Sequence, residues 1–271
     1  MLKNRLLFTL LYGDGVYNLS RNFNLQKVGD LSWFQENYDF ESITNSVDEL
    51  VILDVSRGDR DSDEFAKQIR TLSKICFMPI AAGGGVSSLR DAYEYFEAGA
   101  DKIVLNTAFV SNHPLISELV RIFGSQSIVA SIDFRVSINS VRMTYINNGA
   151  IPTGIPLEQA IRAADALSPG EIYLTSVSRD GTGNGYDLES LKIAASLCKI
   201  PVIASGGAGN YVHFRECLSS GYVKAVSTAN LFNFICDGLS DARNLILQEG
   251  VDLAKWIPSY AISVLAPNKD I

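Results

Sequence analysis

The chain has 271 residues, of which 47% are hydrophobic and 20% are charged, with 21 Gly and 8 Pro. This composition is typical of one sizeable globular domain and excludes disordered, collagen-like and coiled-coil proteins. The net charge of -7 gives no field for binding nucleic acid or an anionic membrane, so neither is expected as a partner.

Short apolar runs alternate with amphipathic helical patterns along the chain. In chain order, the predicted strands are Arg5–Leu11, Leu50–Val55, Pro79–Ala82, Ile103–Leu105, Ile128–Ile132, Ile172–Thr175, Pro201–Ala204 and Ala225–Ser227. The predicted helices between them include Asp61–Lys74, Ser88–Ala98 and Asp187–Leu197. Continuous apolar runs suit parallel strands that are buried on both faces. Eight such alternations favour an α/β fold, a single (β/α)8 TIM barrel, over an open doubly wound sheet.

An internal repeat supports the barrel. A shift of 122 positions carries Cys76 onto Cys198 and aligns two longer matches, Val55-Ser56-Arg57 with Val177-Ser178-Arg179 and Gly84-Gly85 with Gly206-Gly207. The repeat predicts two half-barrels, about residues 1–122 and 123–245, followed by a C-terminal extension of about residues 246–271. Because half a barrel cannot close its sheet, we expect residues 1–271 to form one domain.

The cysteines and histidines show no metal-binding pattern. Four cysteines lie in apolar segments without a CxxC pair, and the chain has only two histidines. We therefore expect no metal and no cofactor. No stretch approaches the ~18 apolar residues of a membrane span, and the first residues lack a signal-peptide pattern. Free buried cysteines and these absences together predict a cytoplasmic protein.

Glycine-rich loops follow the third and seventh predicted strands, as Ala82-Gly83-Gly84-Gly85-Val86 and Ser205-Gly206-Gly207-Ala208-Gly209. Glycine lets backbone N–H groups approach an anion closely, although tight barrel turns also need glycine. The fourth and eighth strands end in Asn106-Thr107 and Ala229-Asn230, which the same repeat relates. The functional ends of barrel strands meet at one mouth. The pattern predicts two phosphate sites and therefore a small-molecule ligand with a phosphate at each end.

A carboxylate ends the fifth predicted strand. Asp133 stands at its tip, where it could hold or take a proton or could simply cap a turn. Its repeat partner at the tip of the first strand is Leu11, which has no ionisable group. The segment Asp180-Gly181 offers a carboxylate and amides to the nearer ligand end, or is a structural turn.

Four charged residues stand at strand beginnings, and they are Arg5, Glu49, Lys102 and Glu171. Because parallel strands begin at the same end of a barrel, we expect these side chains to converge at the bottom of its axis. A charge cluster that only stabilises the fold is one interpretation, since stability residues collect on that face. A ring that gates a passage through the barrel is the other.

Long stretches of the sequence resemble one family. They are VDELVILD, AGADKIVLNTA, ASIDFR, GEIYLTSVSRDGTGNGYD and PVIASGGAGNYVHF, in the family's order. Over nearly its whole length the chain resembles the cyclase subunit of imidazole glycerol phosphate synthase. The resemblance implies a (β/α)8 barrel that receives ammonia from a partner glutaminase through its axis. It also implies a bisphosphate substrate, converted to imidazole glycerol phosphate and an aminoimidazole carboxamide ribotide.

The resemblance also implies roles for individual residues. It implies phosphate contacts at Gly85, Asn106 and Thr107 on one side and at Asp180, Gly181, Gly207, Ala229 and Asn230 on the other. Asp133 matches one of the family's two catalytic aspartates. The family's ammonia gate matches Arg5, Glu49, Lys102 and Glu171, and Asp101 matches a position that meets the glutaminase.

Two departures from the family lead to competing hypotheses. Leu11 replaces the second catalytic aspartate, and Leu19 replaces a substrate-anchoring lysine. The first hypothesis is an ammonia-delivering second copy that serves a sugar amidotransferase in surface-polysaccharide amidation. The second is a working histidine-pathway cyclase, and the third is an inactive barrel that only binds and activates the glutaminase. A phosphosugar isomerase is less favoured, because that reaction also needs an acid or base on the first strand.

Overall fold

A closed parallel barrel is the centre of the computed structural model, which describes residues 3–37, 46–229 and 238–254. Each strand pairs with the next in chain order, and the last pairs with the first. The strands are β1 (Arg5–Gly13), β2 (Glu49–Asp54), β3 (Ile80–Gly83), β4 (Lys102–Leu105), β5 (Ile128–Val136), β6 (Glu171–Ser176), β7 (Val202–Ser205) and β8 (Ala225–Thr228). The predicted (β/α)8 barrel is confirmed. The boundaries of the two half-barrels and of the C-terminal extension stay predictions.

Helices follow the strands around the outside of the barrel. They are α1 (Leu31–Asn37), α2 (Ser62–Ile75), α3 (Leu89–Glu97), α4 (Ala108–Ser111), α5 (His113–Phe123), α6 (Leu157–Ala166), α7 (Leu188–Leu197), α8 (Tyr211–Ser219) and α9 (Gly238–Gln248), with a 3₁₀ turn at Ser125–Ser127. The side chain of Asp61 caps the first turn of α2, and Ser88 and Asp91 form a capping box on α3. None of the described helices is long and apolar enough to cross a membrane.

Two antiparallel hairpins rise from the barrel mouth. The N-terminal hairpin (Val16–Arg21 and Asn24–Gly29) continues β1, and the central hairpin (Arg142–Ile146 and Ile151–Pro156) continues β5. Both parent strands are longer than predicted because they run on past the barrel to pair with a hairpin arm. These extensions place the hairpins above the same opening.

The barrel interior contains an apolar layer to which each strand contributes one residue. Its members are Leu7, Val51, Ala81, Val104, Val129, Tyr173, Ile203 and Ala225, with Leu53 packed against them. A second, larger cluster fills the space between the strands and the helices, including Phe65, Ile69 and Leu72 of α2. The interior layer separates the two ends of the barrel axis.

A buried ion pair fixes α9 at the bottom of the barrel. Arg243 donates two hydrogen bonds to the carboxylate of Asp48, at 3.0 and 2.8 Å, and the same carboxylate accepts the N–H of Leu6 at 2.8 Å. Such a two-pronged guanidinium–carboxylate contact gives strong geometric specificity. Beyond α9 the chain returns to the first strand, where Leu253 bridges to Asn4.

Candidate active site and axial path

The four charged residues at the strand beginnings form a closed ring at the bottom of the axis. Arg5 donates to Glu49 at 2.7 Å and also contacts Glu171. Lys102 donates to both carboxylate oxygens of Glu49, at 2.9 and 2.8 Å, and to Glu171 at 2.7 Å. Each cation therefore joins both acids. The structure brings together the set that the sequence predicted to converge.

The two acids of the ring are buried and the two cations are half-buried, and their charges depend on one another. Burial alone would lower the pKa of Arg5, but the neighbouring Glu171 and Glu49 carboxylates raise it. Burial raises the pKa of Glu49, and Lys102 and Arg5 oppose that change. Removing one member would therefore leave a buried charge without compensation, which is a costly arrangement in a protein interior.

Three hydroxyl groups form a hydrogen-bonded cluster inside the barrel, and they belong to Thr9, Tyr173 and Ser227. Thr9 is 2.8 Å from the hydroxyl of Tyr173 and 2.7 Å from that of Ser227, and Tyr173 donates to Ser227 at 2.9 Å. Burial raises the pKa of Tyr173, so its hydroxyl stays protonated. This hydroxyl cluster satisfies its own hydrogen bonds in an otherwise apolar interior. Isolated Thr, Tyr and Ser in apolar strands carry no distinctive signal, so this cluster could not be predicted from the sequence.

A cavity of about 520 Å³ opens at the mouth. Its lining includes seven positions singled out from the sequence, which are Leu11, Gly85, Asn106, Thr107, Asp133, Asp180 and Ala229. Gly181 and Gly207 do not line this cavity, and Asn230 lies outside the described residues. All three residues of the first predicted phosphate site therefore line the cavity, whereas only Asp180 and Ala229 of the second do.

Asp133 is buried in the wall of the mouth cavity. Its carboxylate accepts from Asn106 at 3.3 Å and is hydrogen-bonded by Thr175. Burial, reinforced by the nearby Asp180 carboxylate, raises its pKa to about 7. A carboxyl with that pKa is available both as an acid and as a base at neutral pH.

Leu11 lies opposite Asp133. The strands β1 and β5 are four positions apart in either direction around the barrel, so their tips face each other across the mouth. Leu11 lines the same cavity and is 9% exposed. A second proton carrier is therefore absent at that point of the cavity wall. Leu19 lies in the N-terminal hairpin, paired with Gln26, and does not line the cavity.

Asp180 holds the N-terminal hairpin against the mouth. Its carboxylate accepts the hydroxyl of Ser20 and the backbone N–H of Phe23, and its carbonyl accepts the N–H of Asn22 at 2.9 Å. Burial raises the pKa of Asp180, while Ser20 and Phe23 oppose the change. The predicted ligand-binding carboxylate is therefore occupied by contacts to the hairpin. Gly181 lies below the same hairpin, where a Cβ would come within 2.1 Å of the Ser20 carbonyl.

The two glycine loops differ in what they face. Gly84 and Gly85 have φ of 104° and 74°, and Gly85 lines the mouth cavity. Gly207 has φ of 112° and packs on the neighbouring loop, where a Cβ would lie 2.1 Å from the carbonyl of Gly185. Both loops need glycine for the turn itself. The loop after β3 is also open to a ligand.

Two arginines, which were not predicted as site residues from the sequence, also line the mouth cavity. Arg57 and Arg60 follow β2, and among the described residues they are the only lysines or arginines in the lining. The Nε of Arg60 lies 3.6 Å from the carboxylate of Asp54. The stem of Arg60 also passes over Gly85, where a Cβ would come within 2.9 Å of it. The positive charge near the glycine loop after β3 is therefore supplied by arginines of the loop after β2.

The bottom face also presents Asp101, an exposed residue just before β4. One carboxylate oxygen accepts the N–H of Ile80 at 2.9 Å. Within the described part of the chain, no group of three or more His, Cys, Asp or Glu residues could hold a metal ion. Burial raises the pKa of both Cys76 and Cys217 to about 12, so these thiols stay protonated. Cys236 lies outside the described residues.

Comparison with known proteins identifies the family. Residues 26–234 match the family described as histidine biosynthesis protein. The chain is 42% identical over 257 residues to a Parasynechococcus marenigrum protein provisionally named imidazole glycerol phosphate synthase subunit hisF2, covering 94% of this chain and 95% of the relative. It is 37% identical over 240 residues to imidazole glycerol phosphate synthase subunit HisF of Pyrobaculum aerophilum, covering 88% and 92%. The chain therefore belongs to the histidine biosynthesis family, as a cyclase subunit of the HisF type.

Proposed function

We propose that this chain is an ammonia-conducting barrel that works with a glutaminase and runs the cyclase reaction only slowly. The observation that carries the proposal is the pairing of Leu11 with Asp133 across one mouth cavity, above a complete charged ring. The parts needed to admit ammonia are present, and one of the two groups needed to move protons is missing. Acid–base chemistry on a ring closure needs both a donor and an acceptor of protons.

Asp133 alone can carry out one of the two proton transfers that the reaction needs. With a pKa of about 7 it can take a proton from ammonia as it attacks, or return one to the substrate. Leu11 can do neither, so the second transfer falls to water. The loss of one positioned acid or base removes roughly 10²–10⁴-fold in rate. Slow turnover follows.

The axis supports passage of a small neutral molecule. The ring of Arg5, Glu49, Lys102 and Glu171 closes the bottom, so a passing molecule requires at least one of its ion pairs to open. The apolar layer above it excludes charged species by the cost of desolvation. Near this layer, the hydroxyl cluster offers hydrogen bonds to ammonia. The charged ring followed by the apolar layer favours passage of neutral ammonia over passage of the ammonium ion.

The partner is a glutaminase that docks on the bottom face around Asp101. Both relatives carry names that make them subunits of a synthase, which supports assembly with a second protein. Asp101 is exposed and lies beside the ring through its neighbour Lys102. A glutaminase seated there would release ammonia directly below the ring.

The acceptor of the ammonia is a separate sugar amidotransferase that modifies a surface polysaccharide. A reduced cyclase leaves the ammonia without an efficient acceptor inside this barrel. The provisional name hisF2 of one relative supports a second copy beside the ordinary enzyme.

Charge reversal at each end of the barrel tests the partner. Asp101→Lys should abolish co-purification with the cognate glutaminase and its stimulated release of glutamate. The matched control is Asp14→Lys, which reverses an exposed charge in the turn at the mouth and should leave both unchanged. Failure of the wild-type chain to form a complex at micromolar concentration with every candidate glutaminase would contradict the proposal.

One observation favours a working histidine-pathway cyclase as the second candidate. Asp133 remains hydrogen-bonded to Asn106 in a cavity of about 520 Å³ that also contains Arg57 and Arg60. If a substrate phosphate or a held water supplied the second proton carrier, this cavity would retain catalysis. Turnover with ammonium salts separates the two candidates.

A further inference from the structure

A second cavity, of about 410 Å³, lies between the two hairpins and is here called the inter-hairpin cavity. It is lined by residues of both hairpins, of the end of β5 and of the loop after β2, namely Asn22, Phe23, Asn24, Arg57, Arg135, Tyr145, Asn148, Gly149 and Ala150. Phe23, Arg57 and Asn148 also line the mouth cavity, so the two spaces share a wall. The predicted phosphate sites at the glycine loops lie elsewhere.

The inter-hairpin cavity is lined by two cations and no carboxylate among the described residues. Arg57 donates to the carbonyl of Phe23. Arg135 donates to the carbonyl of Gly149 at 3.4 Å and stacks over the ring of Tyr145 at 5.0 Å. Neither guanidinium forms an ion pair within the described part of the chain. In a protein of net charge -7, two uncompensated arginines around one concave space indicate an anion site.

The donors of these arginines are largely unused. The Nε of Arg135 is buried and has no hydrogen-bond acceptor in the part of the chain that the structure describes. Leaving a buried donor without an acceptor is unfavourable unless a ligand or water supplies one. Each guanidinium carries five N–H groups in a planar fork, a geometry that matches the oxygens of a phosphate group.

Further contacts, which do not involve the arginine donors, also hold the walls of the cavity in place. The side-chain amide of Asn22 donates to the carbonyl of Ser178 at 2.8 Å, and that of Asn148 donates to the carbonyl of Val55 at 3.0 Å. The hairpin tips approach closely, since a Cβ at Gly149 would come within 2.6 Å of the Phe23 ring. The cavity therefore exists before any ligand arrives.

We propose that the inter-hairpin cavity binds a phosphate group through Arg57 and Arg135, and that the bound phosphate stabilises the two hairpins in their position over the mouth. Arg57 lies on the loop after β2 and Arg135 on β5, and each donates to a carbonyl in the turn of one hairpin, that of Phe23 or that of Gly149. A phosphate bound to both arginines therefore links the two hairpins and opposes their separation. Its source is either a free phosphate ion or the phosphate end of a larger organic ligand. Hairpins held in this way restrict exchange between the mouth cavity and solvent.

Hydrogen exchange of the full-length chain, measured by mass spectrometry, tests the proposal. Inorganic phosphate should slow exchange in the N-terminal and central hairpins, because a ligand that binds the closed state lowers the population of open states. Arg135→Gln should weaken the phosphate dependence of this protection at least tenfold. The control is Arg21→Gln, which removes an exposed arginine of the N-terminal hairpin that lines neither cavity, and this variant should behave as wild type.

Phosphate at the glycine loops gives a different signature. It would protect the loops after β3 and β7 and would be unaffected by Arg135→Gln. Ribose 5-phosphate is the second probe. Hairpin protection by inorganic phosphate identifies the free ion as sufficient, and protection by ribose 5-phosphate alone identifies the end of a larger ligand.

Two further variants separate binding from folding. Arg135→Lys keeps the charge but loses the fork, and it should retain part of the affinity. If Arg135→Gln fails to fold, Arg57→Gln at the exposed rim carries the same test. Protection that is absent with both probes in the wild type, or equal in the wild type, Arg57→Gln and Arg135→Gln, would overturn the proposal.

Discussion

The two ends of the barrel axis solve the problem of buried charge in opposite ways. At the bottom, two cations and two acids neutralise one another, and every member contacts both members of opposite sign. At the mouth, Asp133 and Asp180 are buried acids that have no cation partner at hydrogen-bonding distance among the described residues, and burial raises both pKa values. The charges at the bottom therefore stabilise one another. At the mouth, burial disfavours the charged form of both acids.

Restoring the missing acid at the mouth should give the largest effect. With ammonium salts as the nitrogen source, the wild type should turn over the histidine-pathway substrate roughly 10²–10⁴-fold below an ordinary enzyme. Leu11→Asp should recover at least tenfold of that loss, because it places a carboxyl opposite Asp133 in the same cavity. Steady-state measurement of kcat checks both statements.

The control for that gain is Leu11→Asn, which is similar in size and polar but cannot carry a proton at neutral pH. It should leave kcat at the wild-type value. A wild-type kcat of about 1 s⁻¹ or more would refute the proposal that the mouth contains only one of the two groups needed for proton transfer.

The unpaired acid should make the protein less stable at high pH. The pKa of Asp133 is raised from 3.8 to about 7 in the folded state. Between these values the folded state holds a proton that the unfolded state releases, so stability falls as pH rises through this window. Above pH 7 the deficit is constant, at up to about 4 kcal/mol for a shift of about three pH units.

Asp133→Asn should remove this pH dependence. Urea unfolding of the variant and the wild type should give free energies whose difference grows from pH 4 to pH 8 in favour of the variant. The exposed Asp59→Asn serves as the control and should show no comparable growth. Parallel curves for Asp133→Asn and the wild type would show that the mouth acid is compensated after all.

At the bottom the expected sign is reversed, because each ring member stabilises its neighbours. Glu49→Gln leaves Arg5 and Lys102 with one acid between them and should cost about 3 kcal/mol of unfolding free energy. The control is Lys67→Gln on α2, which breaks an exposed pair with Glu64 and should cost less than about 1 kcal/mol. Equal costs in urea titrations would mean that the ring does not act as a unit.

The smallest effect is expected at the N-terminal hairpin. Leu19→Lys should lower KM for the bisphosphate substrate a few-fold and leave kcat within twofold. An added cation outside the cavity wall strengthens binding of substrate and transition state equally. A change in kcat larger than the change in KM would place this position in the chemistry.

The barrel could be predicted from the sequence because its strands are continuous apolar runs. Each observed strand begins within one residue of its predicted start, including Glu49 and Lys102 at the beginnings of β2 and β4. Local patterning suffices for this, since a strand buried on both faces has no polar position inside it. The presence of an acid on only one of two opposite strand tips could also be predicted, because the repeat aligns Asp133 with Leu11.

Other parts of the site depend on contacts between distant segments. The hydroxyl cluster joins Thr9, Tyr173 and Ser227, three residues from three strands that are unremarkable in sequence. The roles of Arg57 and Arg135 likewise arise only where the hairpins and the loop after β2 meet. Their charges are visible in the sequence, but the absence of a compensating acid is not.

By itself, then, the sequence determined the strand positions, the order of the charged residues at their beginnings and the leucine that faces Asp133 from the tip of β1, because each follows from residue type at a fixed place on a strand. Only the tertiary structure decided how far β1 and β5 extend, which glycine loop is open to a ligand, and what pKa Asp133 has. The physical reason is that burial and charge compensation are properties of a surrounding volume. That volume is filled by segments far apart along the chain, as when Asp180 is bound by Ser20 and Phe23.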